Sequence, residues 1–164
     1  MWKKLRRPLT ILFGVLIVGF VAIQFVPVDR SNPPVTMDVA APAEVRSVLR
    51  QSCYDCHSNE SNWPWYSYVA PVSWLVAKDV REGREHLNFS TWDLQSASER
   101  AEIAEEVYEE AADGEMPLPI YLTMHADARL APDDLRVLRD WVSTSSGSID
   151  GQVREDANDH YNED

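Results

Sequence analysis

Apolar residues are distributed along this chain in two ways. The first is an unbroken run near the N-terminus: residues 9–26 contain Thr10 and Gln24 as their only polar side chains. As a helix these 18 residues would extend about 27 Å, close to the hydrocarbon thickness of a bilayer. Beyond it, apolar residues recur at helical spacing in shorter stretches. Val45, Val48 and Leu49 predict a helix over 43–52, and Trp74, Leu75, Val76 and Val80 predict one over 72–86. The residues of 72–86 do not fall on a single stripe, as expected of a helix packed against more than one neighbour.

A third helix is predicted from Ser96 to Asp113, where Ser96 and Glu99 make a capping-box pattern and Gly114 stands where a left-handed stop belongs. Its inner face carries Ala104, Val107, Tyr108 and Ala111. Pro117 and Pro119 forbid regular helix in the next segment, and Pro132 opens a last helix over 132–142 facing inward through Leu135, Leu138, Trp141 and Val142. Residues 62–66 read as an aromatic turn and 88–96 as a loop. No repeat and no strand pattern is present, so the fold class is all-α.

These patterns divide the chain into an anchor over 1–28, an extended proline-bearing tether over 29–42 that lifts the domain off the membrane, a domain over 43–142 and an acidic, disordered tail over 143–164. Lys3, Lys4, Arg6 and Arg7 precede the apolar run, so by the positive-inside rule this flank stays cytoplasmic and everything after Pro27 is exported. A cleaved signal peptide is the competing reading. Small residues are missing from the −3 and −1 positions after the run, which favours a single-pass anchor in a bacterial inner membrane with the domain in the periplasm.

All 27 acidic residues follow residue 28, against 11 basic ones, giving the exported part a formal charge of −16. That field disfavours nucleic acid and anionic lipid surfaces and would suit basic redox partner proteins, although solubility beside a membrane is the simpler and favoured reading of it.

The chemistry is concentrated in Cys53-Tyr54-Asp55-Cys56-His57, which holds both cysteines of the chain. C-x-x-C-H is the attachment spacing of c-type haem: two thiols three residues apart can each add to one vinyl group of a porphyrin edge, leaving the adjacent imidazole as the proximal iron ligand. A thioredoxin-type pair would need a βαβ context, and a structural zinc site would need four ligands. Neither is available, and a Cys53–Cys56 disulfide would leave His57 without a role. One covalently attached haem c is the expected cofactor.

The order of helix, C-x-x-C-H, middle helices, Met-Pro loop and final aromatic-bearing helix resembles small class I cytochromes c. The co-ordered segments Cys53 to Asn59, Trp63 to Tyr66, Ala70 to Trp74, Gly83 to Ser90, Gly114 to Pro117 and Tyr121 to Leu130 resemble more specifically the bacterial haem-binding domain family of membrane-anchored, cytochrome-like proteins. The resemblance covers roughly residues 41–142 and implies haem attachment.

Met116 is the expected distal ligand: a thioether favours ferrous iron, and Pro117 stiffens the loop presenting it. Met124 and His125, in a loop also bounded by prolines, are rivals. The resemblance implies a histidine at position 125 as the family's usual residue, which makes His125 the stronger rival. Arg84, His86 and Asn88 could bond a propionate or belong to a surface helix end, the latter being favoured. Trp63, Trp65, Tyr66, Trp74 and Trp92 could wall the porphyrin or form the core.

Three function classes follow. The leading one is a non-enzymatic monohaem electron carrier with His57 and Met116 on the iron. A haem-based gas or redox sensor would need a displaceable ligand and a partner for output, and a peroxidase would need an open iron position. No dinucleotide fingerprint, P-loop or nucleophile elbow is present.

Overall fold

The computed structural model describes residues 2–145, with side chains from residue 8 onward. Seven α-helices make up the described chain: α1 Trp2–Ile23, α2 Ala43–Ser52, α3 Tyr54–His57, α4 Val72–His86, α5 Ala97–Asp113, α6 Pro119–Leu122 and α7 over 132–145. Three short 3-10 turns, Trp65–Tyr68, Trp92–Leu94 and Ala126–Ala128, lie between them. Among the described residues there is no strand, only one isolated parallel bridge between Met37 and Thr91. The all-α expectation holds.

The helix ends follow their local chemistry. α5 opens with both arms of the capping box: the Glu99 N–H donates to Ser96 Oγ and the Ser96 N–H to the Glu99 carboxylate. It closes at Gly114, whose φ of +76° is the left-handed conformation glycine adopts at least cost. α6 departs from expectation. Pro119 does not prevent helix but starts it, because at the first helical position its missing N–H has no intrahelical partner to lose. α7 continues past residue 142 to 145; the rest of the expected tail lies outside the described residues.

Two expectations about the N-terminal region change. α1 ends at Ile23, three residues before the apolar run does, as Gln24, Phe25 and Val26 donate their N–H groups three residues back to Val21, Ala22 and Ile23. The apolar run within α1, residues 9–23, covers about 22 Å, short of the roughly 30 Å hydrocarbon core. Among the described residues no helix is long and apolar enough to cross a membrane.

The segment over 29–42 is extended but does not hold the domain at a distance. Arg30 donates to the Ser67 carbonyl, Asn32 to the Ser61 carbonyl, and the Pro34 carbonyl accepts from Asn59. Thr36 and Met37 both donate to the Ser90 carbonyl, and Val39 is fully buried. Its backbone groups find partners on the domain, as those of a docked segment must.

The core is an aromatic column. Tyr54 of α3 stacks on Phe89 at 5.4 Å between ring centroids; Phe89 meets Trp92 at 6.3 Å, and Trp92 meets Trp141 of α7 at 6.4 Å. Val45, Val48 and Leu49 of α2, Ala104 of α5 and Leu138 of α7 close around it. This column fixes α3 relative to α7, and so positions the cysteine-bearing turn.

Candidate functional site

α3 is a single helical turn holding Tyr54, Asp55, Cys56 and His57, with Cys53 as its N-terminal cap. α4 passes directly across it. The approach is close because the crossing residue is Gly83: a β-carbon there would stand 2.9 Å from the Cys56 carbonyl oxygen. That closeness brings the Gly83 carbonyl to 3.0 Å from His57 Nδ1, with the Leu87 carbonyl at 3.3 Å. Only a protonated nitrogen can donate to a carbonyl, so Nδ1 carries the proton and Nε2 is left with its lone pair for a ligand. Burial pushes the His57 imidazole below its ordinary pKa, although the two carbonyls oppose this; the ring is held neutral, the form that binds metal.

His57 opens onto a cavity of about 450 Å³, within the range of small-molecule and cofactor sites. Cys53, Cys56 and Met116 line the same cavity. Both cysteines are free thiols, and burial pushes each up to about 12, so they are protonated at neutral pH. Met116 is presented by the end of α5: its N–H and that of Glu115 both donate to the Glu110 carbonyl. The apolar wall comes from Leu87, Phe89, Val107, Leu118, Leu130 and Leu138. Asp79 and Glu82 of α4 and Glu106 and Glu110 of α5 stand at its edge, and His86 Nε2 lies 2.9 Å from the Glu106 carboxylate.

His125 lies elsewhere. It is not among the cavity-lining residues; its ring stacks on Tyr121 at 4.1 Å, and its Nδ1 is 3.3 Å from the Tyr66 hydroxyl. Met124 is exposed and also outside the cavity. Tyr121 bridges the two regions, since it lines the cavity and donates a 2.8 Å hydrogen bond to Asp55 Oδ2, between the cysteines. Burial, and then that bond, push its phenol well above the ordinary range.

Arg84 and Asn88 are occupied with structural work. The Arg84 guanidinium donates to the Ser58 and Ser31 carbonyls, Asn32 Oδ1 and Ser61 Oγ, while Asn88 donates to Asn59. The helix-end reading of these residues stands. Of the five aromatic residues considered for the cofactor wall, none lines the cavity. Trp92 is core, Tyr66 faces His125, Trp63 and Trp74 border a separate cavity beneath residues 27–33, and Trp65 is exposed. The walls are instead Leu87 and Phe89, which follow α4, together with residues of α5, α7 and the loop around α6. The apolar spacing of Val107 and Leu138 marks them as inward-facing, but nothing local separates facing a core from facing a cavity.

The donor set fits an iron porphyrin. Two half-buried thiols and a neutral imidazole with a free nitrogen sit on one wall and a thioether on the lining of the same apolar space, the combination expected for c-type haem. No lysine or arginine lines the cavity, so nothing there is arranged for a phosphate-bearing cofactor.

No curated protein and no solved structure matches the chain. The pattern of the haem-binding domain family does match, over residues 18–144, from the last turns of α1 to the end of α7. Since the match spans most of the chain, the chain belongs to the haem-binding domain family.

Proposed function

We propose that this protein is a membrane-anchored, periplasmic electron carrier with one c-type haem, attached through Cys53 and Cys56 and ligated by His57 and Met116. The observation that carries the reading is that these four side chains, 63 residues apart at their extremes, line a single apolar cavity. Bound haem supplies the one-electron couple. The chain's own residues do the rest. His57 is oriented by the Gly83 carbonyl, the aliphatic wall excludes water, and Met116 is held by the α5 terminus. Asp79, Glu82, Glu106 and Glu110 at the edge of the cavity support an encounter with a basic redox partner.

Anchoring is supported by α1, whose apolar side chains from Leu9 through Phe20 are largely exposed. The whole helix has 22 residues, about 33 Å, and Lys3, Lys4, Arg6 and Arg7 lie in its first turns.

The test is to co-express the full chain with a haem-maturation system. Haem that stays with the polypeptide through denaturing electrophoresis, and low-spin six-coordinate absorption spectra in both oxidation states, are the expected results. Extraction of haem into acidified organic solvent would overturn covalent attachment. A five-coordinate high-spin iron would overturn the carrier reading in favour of a sensor or peroxidase.

A further inference from the structure

Residues 61–77 carry no charged side chain, in a chain that is 26% charged. They form the 3-10 turn Trp65–Tyr68 and the start of α4, which pack against each other and expose their apolar groups: Trp65 is 71% and Tyr68 59% accessible, and Val69, Val72 and Leu75 are exposed beside them. An apolar face of this kind on an otherwise acidic domain marks a contact surface.

What it contacts follows from how it is tied to α1. Gln24, just past the last turn of that helix, grips the backbone of Ala70 at both its N–H and its carbonyl. Its Nε2 donates to the Ala70 carbonyl at 3.2 Å, and its Oε1 accepts from the Ala70 N–H at 2.9 Å. Phe25, next in the chain, is 82% exposed. Arg30 then donates to the Ser67 carbonyl and lies over the Tyr68 ring at 4.5 Å. The patch is thereby held at the exit of the apolar helix, and the docked 29–42 segment removes the slack that would let it move away.

We infer that this patch, built from Phe25, Trp65, Tyr68, Val69, Val72 and Leu75, rests in the headgroup region of the membrane that receives α1. Aromatic residues with one polar end favour that region, and Arg30 beside Tyr68 brings a guanidinium to the level of lipid phosphates. The inference rests on the anchor reading proposed above, and goes beyond it by fixing the orientation of the domain. The start of α4 meets lipid. Gly83, where α4 crosses the cysteine turn, lies about 16 Å further along that helix, so the cavity and its acidic edge are presented away from the membrane.

The test uses the full-length haem-loaded protein in phosphatidylcholine nanodiscs, with p-benzoylphenylalanine in place of Trp65, Val18 or Leu94 in separate variants. Each must retain the parent absorption spectrum. Val18 reports on α1, and Leu94, 73% exposed on the Trp92–Leu94 turn, serves as an accessible site off the patch. Irradiation should add the mass of one lipid at Trp65 and at Val18, and none at Leu94. A lipid adduct at Val18 without one at Trp65 would overturn the docking and leave the anchor standing. Absence of adduct at Val18 would remove the anchor, and the inference with it. A Trp65 cross-link to a second copy of the chain would assign the patch to self-association and overturn the proposal.

Discussion

Gly83 and Cys56 meet at a distance that leaves no room for a side chain: an added β-carbon would stand 2.9 Å from the Cys56 carbonyl oxygen and 3.2 Å from its carbonyl carbon. Both are backbone atoms of the turn that carries the thiols, so neither can swing aside. In the last turn of α4, Gly83→Ala would gain at most about 1 kcal/mol of helix propensity, but overpacking against backbone costs about 1–3 kcal/mol. The expected outcome is a net loss of stability in denaturant and a lower ratio of haem to protein absorbance, because moving α4 takes the Gly83 carbonyl away from His57. A more stable variant with unchanged haem content would show that the close approach has no functional weight.

Asp38 gives the chain a predictable acid sensitivity. Burial pushes its carboxyl upward, but hydrogen bonds from Tyr54, Arg50 and the Val39 N–H outweigh burial and hold it below the ordinary carboxylate range. A carboxyl depressed in the folded state stabilises above its unfolded pKa of about 3.9, and that stabilisation is lost as pH falls through the folded value. Asp38→Asn should cost about 1 kcal/mol at neutral pH, allowing for its partial exposure. Denaturant unfolding of the two proteins across pH should show the gap closing below about pH 4. A gap that is constant with pH would mean that packing, not charge, is what the substitution removes.

Sequence and structure agree most closely where a local signal decides the outcome. α2 and α4 fill 43–52 and 72–86, and the Ser96 capping box and Gly114 stop bound α5, because apolar spacing and end chemistry act within a few residues. Disagreement appears where the deciding partner is distant. The prolines of 29–42 correctly require extended backbone, but whether that backbone spans open solvent or lies on the domain depends on Ser61, Ser67 and Ser90, which sequence alone does not place beside it. The same holds for the tryptophans. Size and apolarity argue for burial of Trp65 and Trp74 as strongly as of Trp92, and only the fold leaves the first two exposed. At the site, spacing brought forward Cys53, Cys56 and His57, whereas Gly83 opens one of the segments that carry the family resemblance, and nothing local in that segment shows that it lets α4 reach them.

Tyr121 ties the loop around α6 to the cysteine turn through its 2.8 Å bond to Asp55, whose other oxygen accepts from the Asn62 N–H and side chain. Tyr121→Phe keeps the ring that lines the cavity and stacks on His125, and removes only the tie. A hydrogen bond to a carboxylate at a half-buried site is worth about 1–2 kcal/mol. The variant should lose roughly that in denaturant unfolding and should bind added cyanide faster, as the loop beyond Met116 is less firmly held. Tyr66→Phe, which removes only the hydroxyl beside His125 and leaves Asp55 bonded, should not change the cyanide rate. Equal effects from the two would locate the constraint in His125 instead.

Met116 and His125 are separated by the fold more clearly than by the sequence. Met116 lines the cavity opposite no competing donor of its own loop, while His125 stacks on Tyr121 outside it with Nδ1 close to the Tyr66 hydroxyl. For His125 to enter the cavity, that stack would have to break and the loop after α6 would have to move inward, whereas Met116 already lines the cavity. Met116→Ala should therefore shift the iron toward high spin, admit cyanide or carbon monoxide, and lower the reduction potential, since the thioether that favours ferrous iron is gone. His125→Ala should leave the spectrum low-spin. Paired absorption spectra and potentiometric titrations of the two variants decide the matter. If His125→Ala opens the iron and Met116→Ala does not, ligation is bis-histidine, and the haem-loaded protein has a different arrangement of the 119–128 loop from the one described.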